Sequence, residues 1–418
     1  MATHMPRIQA VFRWRAMAGA AALISATACT DFLSVDNPNV IDADNIDPVA
    51  DAATLANSAQ QNFAAAYGWQ IMYSSWFTGE AEVAETFPTR NEFGRRAVAA
   101  SNANLNNDVW TTLSLAAASA NLVLVLDLPT PDTNINFART ALWRGYSFVL
   151  MAENFCSGTV ESGPELTTAI MLDSAVVNFT RAITVGNAIN TADSRTLANA
   201  ALVGRARAHL QAGRKAEASA DAVAVPAGFT YSLPYVDDLA ARNRLSNRLY
   251  QFTVDRGSVS VAPAFRLTDP RIRFKAPGQH NLTPQDASSG PFYVQDKYPA
   301  FNAAIRLASR LEADYIAAEA GTTADQLALI AARRAANGEG AYTGPSDAAS
   351  VLTELLWQKS LDFWLEGRRM GDLQRNPNNM TALPVPGAAY FKPGFAPIGS
   401  ATCYPLPTAE RDNNPNLS

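Results

Sequence analysis

The sequence predicts a mainly α-helical protein: tetratricopeptide-like helical hairpins form a scaffold, a loop-rich insertion interrupts it at about 226–300, and an irregular C-terminal tail follows. Three observations lead to this prediction. Apolar residues recur at steps of three and four over much of the chain. Eight of the 24 prolines fall within 226–300, which favours loops there. The stretch after residue 375 shows neither the helical nor the strand period of apolar residues over any length.

The N-terminal half contains amphipathic patterns that predict three helices. In the first, Leu55, Ala59 and Phe63 are spaced to share one helix face. In the third, the pattern ends before Gly158 and Pro164, which are residues that terminate helices. The predicted helices are 51–67, 106–128 and 137–155.

Two later regions predict helical hairpins. After a helix at 171–185, the segment 194–225 has small residues, then Gly213 as a turn, then a second short helix. The pair 303–320 and 323–338 has the same form. Small residues allow close packing and a glycine ends the first helix, as in tetratricopeptide repeats. A generic helical hairpin fits these residues nearly as well, so both interpretations remain open.

The insertion predicts short strands between turns, and the run "RLYQFTV" (248–254) is β-like in composition. Loop-rich insertions on a helical scaffold are common places for binding surfaces. After the second hairpin, the segment 347–375 predicts one long helix whose apolar residues include Leu355, Leu361 and Trp364.

The N-terminus has the layout of a bacterial export signal. Three arginines precede a nine-residue apolar run, Ala16 to Ile24, and small residues lead to Cys29. The run is too short to span a membrane, since a spanning helix needs about 20 apolar residues. We therefore expect a signal peptide at 1–28, lipidation of Cys29, and a tether at 29–50. Ordinary cleavage with Cys29 as a bystander is the alternative.

The net charge bears on the class of partner, and the two remaining cysteines bear on whether the chain contains a disulfide. The net charge is −5 without a basic cluster, which argues against nucleic acid as a partner. Export would place Cys156 and Cys403 in an oxidising compartment, where a disulfide between them is expected. Two separate buried thiols are the alternative.

Several motifs, in order, resemble those of the SusD/RagB family of outer-membrane nutrient-uptake lipoproteins. The resemblance covers nearly the whole length, and it implies a single SusD-like domain at 51–418. The segments that carry it are "CTDFLSVDNPN", "VWTTLSLAAASANLVL", "LWRGYSFVLMAENFCSG", "ARAHLQAGRKAEA", "RLEADYIAAEA", "LDFWLEGRRMGDLQR" and "YPLPTAERDNNPNL". Leu115 departs from the family's aromatic, and the chain is somewhat short for the family, so external loops are expected to be trimmed.

No constellation for catalysis is visible. Glu366 and Asp372 could act as paired carboxylates on a sugar, but the neighbouring Arg368 and Arg369 favour a structural ion-pair cluster. His209 and His280 lack further ligands at metal-binding spacing, and there is no phosphate-binding glycine loop. We therefore expect no catalytic residue, no metal and no cofactor.

Aromatic residues are the remaining candidates for ligand contacts. The stretch 64–81 contains Trp69, Tyr73 and Trp76, and Tyr293 lies in the insertion. Aromatic rings offer flat faces on which sugars can stack. We predict that Trp69, Trp76 and Tyr293 bind ligand. The competing interpretation is that the helical aromatics are core residues.

The resemblance implies a surface lipoprotein of the bacterial outer membrane that binds a nutrient, an oligosaccharide or a peptide among the candidates, and has no activity of its own. Its partner would be a SusC-like TonB-dependent transporter, which it would cover as a lid. A helical-repeat scaffold that binds only protein partners is the alternative, and a glycosidase is a third hypothesis.

Overall fold

Helices dominate residues 46–417, the part of the chain that the computed structural model describes. The residues from Pro48 onward belong to one unit. The signal peptide at 1–28, Cys29 and most of the tether at 29–50 lie outside the described residues. None of the described helices is long and apolar enough to cross a membrane.

Fourteen α-helices occur in this part of the chain, and a π-helical turn, Leu105–Trp110, leads into the third. They are α1 (Ala52–Phe77), α2 (Pro88–Gly94), α3 (Thr111–Leu124), α4 (Ile135–Asn154), α5 (Thr168–Ile189), α6 (Ala192–Gln211), α7 (Lys215–Ala224), α8 (Arg242–Leu245), α9 (Arg248–Val254), α10 (Arg310–Ala320), α11 (Thr323–Ala336), α12 (Ala348–Asp362), α13 (Arg369–Arg375) and α14 (Thr408–Asn413).

Six short strands form three separate antiparallel pairs among the described residues. Strand β1 (Ala81–Val83) pairs with β3 (Val259–Val261). Strand β2 (Thr230–Leu233) pairs with β6 (Ile305–Ser309). Strand β4 (Phe274–Lys275) pairs with β5 (Val294–Gln295). Two of these pairs attach the insertion to the helical scaffold, because β1 and β6 lie outside it, and the β4–β5 pair lies within it.

The prediction of a mainly α-helical scaffold with helical hairpins is confirmed. Helices α6 and α7 form one hairpin, α10 and α11 the other, and α10 packs against α7. Close packing of α4, α5 and α6 depends on two glycines. A Cβ atom on Gly145 or Gly204 would lie 2.7 Å or 2.4 Å from the ring of Phe179. The buried ring therefore fills space that only glycine leaves open.

Two element predictions are wrong. The segment 248–254 is helix α9 rather than a strand, because the side chain of Asn247 accepts from the backbone N–H of Tyr250 and caps it. The predicted long helix at 347–375 breaks between α12 and α13. There Leu365 and Gly367 have φ of +57° and +73°, and a Cβ on Gly367 would lie 2.8 Å from Ile71.

The break between α12 and α13 holds Arg368 at the centre of a buried chain of charges. Its guanidinium donates to Glu312 at 2.9 Å, to the hydroxyl of Tyr67 at 2.7 Å and to the carbonyl of Leu307 at 2.7 Å. Glu312 also pairs with Arg207 at 3.4 Å. Arg207 in turn pairs with Glu153. The chain joins α4, α6 and α10 to the break, and we call it the central charge chain.

The neighbouring carboxylates are also paired, which supports the structural interpretation of the "LEGRRMGDLQR" motif. Glu366 accepts from Lys297 at 2.6 Å and from Arg306 at 2.9 Å. Asp372 accepts from Lys359 at 2.6 Å. Burial opposes ionisation of Glu366, but Lys297 and Arg306 outweigh it, so the pKa of Glu366 lies below its usual value.

The tail returns to the end of α4 and brings two cysteines together. The N–H of Cys156 donates to the carbonyl of Tyr404 at 2.9 Å, and the N–H of Tyr404 donates to Asn154 at 2.7 Å. Cys403 is thereby placed beside Cys156, with their Cα atoms 5.2 Å apart in a disulfide. This separation lies within the range that a disulfide requires.

We predict that replacing Cys156 and Cys403 together with alanine lowers the free energy of unfolding by about 5 kcal/mol. The bond closes a loop of 247 residues, and the chain-entropy model gives a loss of this size for such a loop. Denaturant unfolding of the variant and the wild type measures the difference. Labelling of both thiols in denatured, unreduced wild type would contradict the bond.

We also predict that stability falls in acid through Glu366. Its folded pKa is lowered, so its contribution is complete above the unfolded value of about 4.3 and is lost as pH falls through the folded pKa. Glu366→Gln should lower the free energy of unfolding at pH 7 by about 3–5 kcal/mol, because Lys297 and Arg306 lose their counter-charge.

Urea unfolding between pH 7 and pH 3 tests this prediction. The variant should show a flatter decline below pH 4.5 than the wild type does. Glu217→Gln is the matched control, since Glu217 is exposed and makes no ion pair with a described residue. Parallel pH profiles for Glu366→Gln and the wild type would disprove the role of Glu366.

Candidate functional site

An apolar cleft of about 260 Å³ lies between β1, the turn after β3 and the C-terminal tail, and we call it the tail cleft. Its mostly apolar lining is typical of a small-molecule site, and its volume is slightly below the range of about 300–1,000 Å³ that such sites have. The residues that line it are Trp76, Gly79, Ala81, Glu82, Val83, Gly94, Ala262, Pro263, Ala264, Ala382, Leu383, Pro384, Ala389, Tyr390, Phe391 and Ile398.

Hydrogen bonds hold the tail wall of the cleft in place. The hydroxyl of Tyr390 donates to Asn91 at 3.0 Å. Arg96 donates to the carbonyls of Pro384 at 3.2 Å and Ala401 at 2.8 Å. Because Asn91 in α2 binds a tail side chain and Arg96, just after α2, binds two tail carbonyls, the tail wall is held in place.

The exposed part of this wall is aromatic. Phe391 is 39% exposed, and its ring centroid lies 4.6 Å from that of Tyr390. Phe395 packs against Tyr390 at 5.6 Å. Phe391 therefore presents a supported aromatic ring at the opening of the cleft.

A buried lysine contacts the rings of Phe391 and Phe395. The ammonium of Lys392 donates to Asp286 at 3.1 Å and to the carbonyl of Glu85 at 2.6 Å. It lies 5.7 Å from the ring centroids of both Phe391 and Phe395. Burial lowers the pKa of Lys392 although Asp286 favours its charged form. The ammonium thus links the tail to the insertion.

Polar groups meet on the opposite side of the cleft. Glu82 lines it and pairs with Arg266 at 2.7 Å. The guanidinium of Arg266 lies 3.9 Å from the ring centroid of Tyr293. Burial raises the pKa of Glu82 although Arg266 favours the carboxylate. A carboxylate, a guanidinium and a half-buried tyrosine therefore form one continuous set of contacts at this side.

Trp76 does not have the role predicted from the sequence. It lines the cleft, but it is fully buried and its ring packs edge-on against Tyr73 at 5.2 Å. The expectation that Trp76 stacks on a ligand is therefore wrong, because the insertion and the tail cover this end of α1. Phe292, beside Tyr293, is also buried.

Trp69 is half-buried and belongs to a different surface. Arg248 lies 4.4 Å from its ring, and Phe252 packs edge-on against it at 5.3 Å. Burial lowers the pKa of Arg248 to about 10. Trp69 and Tyr293 thus have separate sets of neighbours, and ligand binding by either residue stays a prediction.

Phe391 and Lys392 were not among the site residues predicted from the sequence. The segment "AAYFKPGF" (388–395) is rich in aromatics, but it has no helical or strand period that would assign a ring to a surface. Three aromatic residues close to Pro393 and Gly394 were the sequence signal that could have indicated a binding loop here. Among residues 46–417 no group of three or more metal-ligating side chains comes together.

Solved structures with the same fold are SusD-superfamily proteins. A SusD superfamily protein of Bacteroides thetaiotaomicron is 17% identical, with a TM-score of 0.67 over 90% of this chain and 99% of its own. A SusD-like carbohydrate binding protein of Bacteroides vulgatus is 15% identical, with a TM-score of 0.66 over 88% and 96%.

Surface glycan-binding protein A of Bacteroides thetaiotaomicron, solved with laminarihexaose, is 13% identical, with a TM-score of 0.64 over 87% of this chain and 98% of its own. Identities this low establish the fold alone. The sequence matches no protein-family model, and it matches no curated protein.

We predict a large loss of stability for one aromatic residue of the tail cleft and a small one for another. Trp76→Ala should lower the free energy of unfolding by about 3–5 kcal/mol, because it leaves a cavity in the core. Phe391→Ala should change it by much less, because that ring is partly exposed. Thermal and urea unfolding measure both, and equal losses would show that Phe391 is a core residue.

Proposed function

We propose that this chain, which has the fold of SusD-superfamily proteins, binds an oligosaccharide in the tail cleft and has no catalytic activity of its own. The exposed ring of Phe391 carries the proposal. An aromatic face at an apolar opening can stack on the C–H face of a sugar ring. Glu82, which lines the cleft and is paired with Arg266, supplies acceptor oxygens for hydroxyl groups.

The comparisons support this choice of ligand class. One neighbour is described as a carbohydrate binding protein, and another is a glycan-binding protein solved with laminarihexaose. The carboxylates of the "LEGRRMGDLQR" motif are already paired with cations, which argues against a glycosidase. Glu366 is buried and held by two cations, so it cannot reach a glycosidic oxygen in solvent.

We further propose that the protein is a lipoprotein of the bacterial outer membrane, anchored through Cys29 and exposed on the cell surface. In this proposal it covers a SusC-like TonB-dependent transporter and releases its ligand into it. The resemblance in sequence and the fold motivate the proposal. Fatty-acid labelling of the wild type that Cys29→Ser abolishes would support the anchor, and an unlabelled wild type would contradict it.

A scaffold that binds only protein remains the second candidate, and one observation favours it. Leu115 and Leu122 on α3, and Val125 just after it, are 53%, 44% and 68% exposed. They follow a spacing of seven and three residues, which places them on one helix face. Such an apolar stripe is typical of a surface that contacts another protein.

We predict that the purified protein binds laminarihexaose or another neutral hexasaccharide, and that Phe391→Ala weakens binding by about 2 kcal/mol or more, as for a binding hot spot. Tyr293→Ala and Trp69→Ala test the two aromatics predicted from sequence in the same way. Isothermal titration calorimetry against laminari-, malto- and cellohexaose measures the affinities.

Leu115→Ala is the control, because Leu115 is a similarly exposed apolar residue on α3. Its affinity for the hexasaccharide should equal that of the wild type. Wild-type affinity in Phe391→Ala would move the site away from the tail cleft. Absence of binding to every glycan, or turnover of a bound glycan, would contradict the proposed function.

A further inference from the structure

A second cavity, of about 300 Å³, lies on the N-terminal half of α1. Three amide side chains, Asn57, Gln60 and Gln61, line one side of it on successive turns of the helix. Apolar residues that include Val236 and Leu245 line the other side. We call it the amide pocket. It shares no lining residue with the tail cleft.

Two arginines orient the amides. Arg139 donates to the side-chain oxygen of Asn57 at 3.3 Å, and Arg244 donates to the side-chain oxygen of Gln61 at 3.2 Å. Each bond occupies the amide oxygen and leaves the NH₂ group available, since an amide has two donors on nitrogen and one acceptor oxygen. The pocket therefore offers N–H donors.

The charged residues beside the pocket also favour a ligand that accepts hydrogen bonds. Neither Arg139 nor Arg244 pairs with an acidic residue in the part of the chain that the structure describes, although the chain as a whole is acidic. Of the two acidic residues that follow Val236, Asp237 pairs with Arg242 at 2.7 Å, and Asp238 accepts from the backbone N–H of Ala240 at 3.0 Å. Two cations without counter-charges beside N–H donors favour an anionic ligand rich in acceptor oxygens.

We propose that the amide pocket binds a carboxylated sugar residue of an acidic glycan. The carboxylate accepts from the amide nitrogens and from Arg139 or Arg244, and the C–H face of the ring lies on Val236 and Leu245. The cavity has room for one or two sugar rings. This site is separate from the tail cleft, and it would operate whether or not that cleft binds a neutral glycan.

Ligand-observed NMR titration of the full protein with glucuronate, and with glucose as the neutral counterpart, tests the proposal. The two sugars differ only in the carboxylate at C6. Glucuronate should bind at least about tenfold more tightly than glucose, as expected for hydrogen bonds to a charged group. This preference should shrink as salt is raised, because the arginines are near the surface.

Arg244→Met and Gln61→Leu should each weaken glucuronate binding about tenfold. Both side chains are exposed, so the variants should keep the wild-type melting temperature. Arg242→Met is the matched control, because this arginine pairs with Asp237 and lies 3.8 Å from the ring of Phe301. It should bind glucuronate as the wild type does.

Phe391→Ala separates this proposal from the proposed function, because it should lose neutral oligosaccharide and keep glucuronate. Equal affinity for glucuronate and glucose would overturn the amide pocket as an acidic-sugar site. Unchanged binding in both Arg244→Met and Gln61→Leu would do the same. Tighter binding of a tri-aspartate peptide than of triglucuronate would assign the pocket to acidic peptides and overturn the proposal that it binds a carboxylated sugar.

Discussion

The salt bridge between Arg368 and Glu312 is the contact on which the rest of the structure depends. Both side chains are buried, and removing one partner of such a pair leaves an uncompensated charge in the interior. Through the central charge chain it joins four parts of the scaffold. At the same break between α12 and α13, the backbone N–H of Leu365 donates to the carboxylate of Glu80 at 2.9 Å. Glu80 directly precedes β1, so the charges in the core position one wall of the tail cleft.

The sequence predicted those parts of the fold that local periodicity determines. Helices such as α1 and α4 have a repeating apolar face, and the hairpin turn at Gly213 is a local signal. The break at 363–368 could not be predicted in this way, because the residues that require it, Ile71 and Glu80, are about 290 positions away. Helix α9 was missed because its β-like composition was outweighed by one capping side chain, Asn247.

The candidate site was less predictable for a related reason. Periodicity shows that Trp69, Tyr73 and Trp76 lie on a helix, but it does not show which of them other segments cover. Trp76 is buried because the insertion and the tail meet over it. Phe391 was missed because an irregular segment has no period. Its exposure depends on Asn91, which accepts from the hydroxyl of the neighbouring Tyr390, and on Arg96, which donates to the tail backbone. Tertiary contacts therefore decide the site.

The position of the tail along the chain has a consequence for biosynthesis. The scaffold helices emerge from the ribosome first, and the segment 382–398, which completes the tail cleft, emerges only after all the repeat hairpins have been made. A chain that stops before residue 382 therefore contains the repeat hairpins but lacks one wall of that cleft. In the proposed function, capture of an oligosaccharide in the tail cleft would therefore require the whole polypeptide, whereas the amide pocket is lined by residues 57–64 and 234–245 and is complete without the tail.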